Sequence, residues 1–96
     1  MNFDNGFYAL KFGASWCAPC KTLEPLLKKI EDEFPNVGFH SINVDEDPAM
    51  AKKYQIRNLP TVILLRDGQE VNRIQGAVLI TPLRKAFRDL IADQAA

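Results

Sequence analysis

The sequence predicts an α/β fold built on a mixed four-stranded sheet flanked by helices, in the order β-α-β-α-β-β-α. Three observations carry that prediction. Short apolar runs alternate with segments whose apolar residues recur every three or four positions, the spacing of one helical face. The pair Asp67-Gly68 separates the last two strand-like runs and marks a tight hairpin turn. The chain has 96 residues, 47% of them apolar and 25% charged, which suits one globular domain over residues 1–96.

Each element has its own signal. The run "FYALKF" (7–12), bounded by Gly6 and Gly13 and broken only by Lys11, reads as a strand buried on both faces. In "KTLEPLLKKIEDEF", Leu23, Leu26, Leu27, Ile30 and Phe34 make one helical face, with a kink expected at Pro25 and the end at Pro35-Asn36. "VGFHSINV" (37–44) alternates as a second strand. Asp47-Pro48 offers an N-cap with proline in the first turn, opening a short helix through Tyr54. "TVILL" (61–65) is a third strand and "EVNRIQG" (70–76) a fourth, joined by the turn 66–69. Thr81-Pro82 starts the last helix, whose apolar face is Leu83, Phe87, Leu90 and Ile91. A helix joins the first two strands, so they should run parallel, whereas the hairpin strands are antiparallel.

Composition narrows the function classes. Formal net charge is zero, so no global field favours nucleic acid or an anionic membrane surface. The first ten residues do not read as a signal peptide, and no apolar stretch approaches the roughly 20 residues that cross a bilayer. Two cysteines are too few for a disulfide-stapled secreted fold. The expected compartment is therefore the reducing cytoplasm, where a cysteine pair is more often catalytic than structural.

The stretch "GASWCAPCK" (13–21) holds both cysteines, Cys17 and Cys20, three positions apart where the first strand hands over to the first helix. The spacing allows a reversible disulfide, half of a metal site, or an inert pair. A structural zinc site takes four ligands, and the chain offers two cysteines and one histidine, His40. At the helix N-terminus, free N–H groups and the helix dipole favour an anion, which lowers the pKa of Cys17 and leaves it exposed to attack a disulfide. Cys20, one turn on, can reach back to resolve the mixed disulfide. Pro19 stiffens the turn at no hydrogen-bonding cost, because first-turn N–H groups have no helical partner.

With "WCAPCK" (16–21), Pro25, "NVDEDP" (43–48), "YQIRNLPT" (54–61), "RDGQEV" (66–71) and Gly76 in this order and spacing, the chain resembles the thioredoxin family. The resemblance covers residues 7–91 and implies a thioredoxin-like fold. It implies reduction of protein disulfides through Cys17 and Cys20, with disulfide-containing proteins as substrates. It further implies that no cofactor is bound and that electrons come from an external thioredoxin reductase, NADPH–flavin or ferredoxin linked. Pro60 matches the family's cis-proline beside the active-site disulfide. Trp16, Leu59, Pro60, Gly76 and Ala77 would form a shallow surface for substrate peptide, and Ala18 and Pro19, between the cysteines, would tune the redox potential.

The chain departs from the family pattern at three places. Where the family usually has an acid under the inner cysteine and a lysine on the next strand, this chain has Lys11 and Ser41. Glu24, four residues after Cys20 on the same helical face, is the candidate replacement: either a Lys11–Glu24 pair handles protons with the charges exchanged between strand and helix, or Lys11 snorkels outward and Glu24 is a solvated helix residue. Ala18 stands where glycine is commonest. The usual N-terminal strand and helix are lacking, since residues 1–6 cannot supply both. That should leave 37–44 as a free sheet edge, so the expectation is a monomer with a weak edge-strand dimer as the alternative. The competing functions are a disulfide oxidase or isomerase on the same fold, and a non-catalytic binding subunit.

Overall fold

The computed structural model describes residues 2–92, so the expected extent 1–96 reaches past the described residues at both ends. The elements are β1 (Phe7–Gly13), α1 (Ala18–Glu33), β2 (Val37–Asn43), α2 (Pro48–Lys53), β3 (Thr61–Arg66), β4 (Gln69–Gln75) and α3 (Ile80–Ala92). The order is the expected one, and each boundary falls within a few residues of its sequence signal. The sheet runs β2-β1-β3-β4: β2 lies parallel to β1, and the other neighbours are antiparallel. Among the described residues β2 is thus an edge strand, as expected.

The pleat of β1 sorts its side chains. Phe7 and Ala9 join Leu23, Leu27 and Ile30 of α1 and Leu83 and Phe87 of α3 in one core. Leu10 and Phe12 point the other way, into a second core with Phe3, Ile42, Ile63 and Leu65. β3 is buried on both faces, which is why it reads as an unbroken apolar run. β1 is likewise buried on both faces, as expected, with only Tyr8 and Lys11 half-buried. Lys11 shares the face of Phe7 and Ala9, so the pleat aims it toward α1.

Local signals act as anticipated at the ends. Asp47 Oδ1 accepts from the Met50 N–H at 3.2 Å and caps α2. Asp67 and Gly68 both have positive φ (50° and 84°), the conformation of the two-residue hairpin turn. α1 continues through Pro25, an exposed residue whose missing N–H leaves the Lys21 carbonyl without a helical donor.

Candidate active site

β1 ends at Gly13 and α1 opens at Ala18, so residues 14–17 form the turn at the carboxyl end of a central strand. Cys17 is the N-cap of α1: its backbone is extended (φ −92°, ψ 103°) and its Sγ accepts the Cys20 N–H at 3.2 Å. Cys17 and Cys20 are joined by a disulfide, with their Cα atoms 5.3 Å apart. A disulfide, rather than half of a metal site, is therefore what the pair forms. The exposed Cys17 expected from sequence is corrected: both cysteines are only 4% exposed. The cause is the capping geometry, which turns the Cys17 sulfur in over the first helical turn, where its bond to Cys20 covers it.

The two cysteines open onto different clefts. Cys17 lines a cleft of about 660 Å³ with Trp16, Val44, Ile56, Arg57 and Leu59, in which Arg57 is the only charged lining residue among the described residues. Cys20 lines another, of about 380 Å³, with Lys11, Glu24, Ser41, Asn43 and Glu46. On the first side Trp16 stands 68% exposed, and its indole Nε1 donates to Asp45 Oδ2 at 2.8 Å. The Leu59–Pro60 bond is cis. Leu59 is half-buried, and Pro60 is buried with its carbonyl accepting the Gly76 N–H at 2.8 Å. Thr61, itself buried, donates its hydroxyl to the Asn58 carbonyl and so ties down the segment before the proline.

On the second side, Lys11 Nζ donates to Glu24 Oε1 at 3.3 Å. The Lys11 side chain is 14% exposed and that of Glu24 65%. Ser41 is the β2 partner of Lys11 in the parallel register.

Of the sequence-predicted residues, the fold thus gathers Trp16, Cys17, Ala18, Pro19 and Leu59 around one cleft, and Cys20, Lys11 and Glu24 around the other. Pro60 and Gly76 are linked to each other by their backbones, but with Ala77 they are not on the lining of the Cys17 cleft. Gly76 has φ +83°, and a side chain there would meet open space, so the backbone conformation rather than crowding asks for glycine. His40 meets Phe3 edge-on and Tyr8 at a tilt, as a strand residue of β2.

Sequence reasoning missed two residues. Asp45 lies in a stretch already singled out, yet nothing in one chain says that an acid at 45 holds an indole at 16. Gly13 was read as a strand boundary; a Cβ there would sit 3.3 Å from Cys20 Sγ and 3.6 Å from Lys11 Cε, so glycine makes room for both.

A bonded Cys-x-x-Cys at the N-cap of a helix that follows a central strand, facing a cis-proline segment, defines a thiol–disulfide oxidoreductase. Comparison with known proteins agrees. The profile of the thioredoxin family matches residues 2–89. The chain is 42% identical over 71 residues to a thioredoxin of Chlamydia caviae, spanning 74% of this chain and 70% of the relative. It is 40% identical over 79 residues to one of Chlamydia pneumoniae, spanning 78% of each. Among solved structures, oxidised mitochondrial thioredoxin 3 of Saccharomyces cerevisiae superposes with a TM-score of 0.83 at 39% identity, over 88% of this chain and 79% of that one. The thioredoxin of Trypanosoma brucei brucei gives 0.85 at 35% identity, over 93% and 78%. The chain belongs to the thioredoxin family, and its activity is protein disulfide reduction.

Proposed function

We propose that Cys17 is the attacking thiolate and Cys20 the resolving thiol of this reductase. The observation that carries the assignment is the division of the two cysteines between two clefts. Cys17 faces the larger, mostly apolar cleft with Trp16 and Leu59 on its wall, suited to a peptide bearing a disulfide. Cys20 faces the polar cleft, where its proton can pass to water beside Lys11 and Glu24. The Cys17 sulfur also accepts an N–H at the first turn of α1, and such a donor favours a thiolate there. Trp16, Leu59 and Pro60 bind the substrate backbone and its apolar side chains, with Gly76 and Ala77 bordering Pro60. Ala18 and Pro19, the two residues between the sulfurs, set the potential. A separate thioredoxin reductase returns the disulfide to the dithiol, and the working compartment is a reducing cytoplasm.

Trapping tests the order of events. With Cys20→Ser, a disulfide substrate should accumulate as a stable mixed disulfide on Cys17; with Cys17→Ser it should not. Accumulation on Cys20 instead would reverse the assignment. The reduction potential, read from the fluorescence of Trp16 in dithiol buffers, tests the direction of electron flow. A value near the roughly −270 mV of thioredoxin supports a reductase, and one near or above about −180 mV, the range of protein disulfide isomerase, points to an oxidase or isomerase.

A further inference from the structure

A lysine in a central strand calls for a physical account, because an ammonium is strongly hydrated and costly to bury unpaired. Lys11 sits on the face of β1 that carries Phe7 and Ala9 beneath α1. Gly13, next on that face, has no side chain, and the point its Cβ would occupy lies within 4 Å of both Cys20 Sγ and Lys11 Cε. The inner sulfur and the lysine stem are therefore neighbours across the vacancy of one glycine. The ammonium then reaches Glu24, whose carboxylate is largely in solvent and so compensates it only in part.

The other charges near Cys20 are few. α1 adds Lys21 to the lining, and the segment after β2 adds Glu46. Further along the same groove stand Lys28 and Glu31 of α1 and His40 of β2. β2 itself contributes only Ser41, Ile42 and Asn43 to the Cys20 cleft. Lys21, Lys28, Glu31 and Glu46 are all exposed, and Lys11 is the cation that rises from below the sulfur.

We infer that Lys11 is a positioning residue for the second half of the reaction: its ammonium stabilises the Cys20 thiolate, and Glu24 anchors the ammonium while damping its field. This rests on the reading of Cys20 as the resolving thiol. In that step the Cys20 S–H gives its proton to water in the polar cleft. The thiolate attacks Cys17 Sγ of the mixed disulfide, forming the Cys17–Cys20 bond and breaking the Cys17–substrate bond. The substrate sulfur leaves as a thiolate and takes a proton from water, so two electrons pass from the dithiol to the substrate. A nearby opposite charge favours the ionised thiol; with Glu24 beside it, about tenfold more thiolate is expected below the titration midpoint than without the cation.

The test uses the Cys17→Ser chain, in which Cys20 is the only thiol, with thiolate followed by ultraviolet absorbance against pH. Lys11→Met should cut the thiolate about tenfold below the midpoint, and Lys11→Arg should restore most of it. Glu24→Gln, at an exposed side chain, should shift the midpoint the other way, downward. Opposite signs from the two halves of one ion pair would not come from a loosened structure. An unmoved midpoint in Lys11→Met, a Lys11→Arg chain that behaves like Lys11→Met, or an upward shift in Glu24→Gln overturns the inference. The single-thiol chain cannot turn over, so this result is separate from the trapping test: normal trapping with an unmoved midpoint removes Lys11 alone.

Discussion

Cutting the tether between Asp45 and Trp16 should weaken substrate reduction without weakening the fold. The indole has one donor, and it is spent on Asp45 Oδ2 at 2.8 Å while the ring stays 68% exposed. In Asp45→Ala, water satisfies the N–H, so the loss is the net value of an exposed hydrogen bond, about 1 kcal/mol. That amount no longer holds the ring ready beside Cys17, and substrate has to order it. At about 1.4 kcal/mol per factor of ten, kcat/KM should fall roughly fivefold, mostly through KM. Asp45→Asn keeps an acceptor oxygen and should lose about twofold or less. Asp45 is exposed, so thermal stability should move by no more than about 0.5 kcal/mol. The assay is steady-state reduction of a disulfide peptide, paired with fluorescence anisotropy of the single tryptophan in each variant. A freed ring in Asp45→Ala with unchanged kcat/KM would refute the reasoning, since ring order would then play no part in binding.

Two other outcomes follow from the packing and the charges. Phe87 is fully buried, with its ring stacked on Phe39 at 5.3 Å and tilted against Phe34 at 5.7 Å; Phe87→Ala should cost about 3–5 kcal/mol in denaturant unfolding. Glu33 accepts two bonds from the Arg84 guanidinium, at 2.7 and 2.8 Å, and that hydrogen bonding holds its carboxyl below the ordinary glutamate range. A carboxyl lowered on folding stabilises above its unfolded pKa and loses that contribution as pH falls through its folded one. The Tm gap between the wild type and Glu33→Gln should therefore be constant near neutrality and close as pH drops below about 4.

The legible part of this chain is the part written in short range. Leu23, Leu27 and Ile30 repeat at helical spacing, and they are the residues α1 buries. Asp47, Pro48, Asp67 and Gly68 announce caps and turns through their own backbone preferences, and each does so where expected. The cysteine pair was legible because its chemistry is local, one helical turn long. Long-range pairings were less so. Trp16 and Asp45 lie 29 positions apart, and the identity of neither implies the other. The burial of Cys17 was misread for a related reason. The helix N-terminus predicts a sulfur stabilised as an anion, but not which way the cap turns it. The Lys11–Glu24 pair, 13 positions apart, was reachable because a lysine in an apolar strand demands a partner and α1 offers an acid four residues after Cys20 on the same face.

The position of Lys11 along β1 also bears on what its replacement would cost. Phe7 and Ala9, on the same face, lie in the core formed with α1 and α3, where a lysine would have no exit. At position 11 the strand has run out from beneath that core, and the groove opens onto Ser41, Asn43 and Glu24. A methionine there would keep much of the reach of the lysine stem, and Glu24 is exposed enough to lose its partner cheaply. Replacing a part-buried ion pair by an apolar side chain is often neutral or stabilising. Lys11→Met should therefore hold or raise the Tm while the Cys20 thiolate declines.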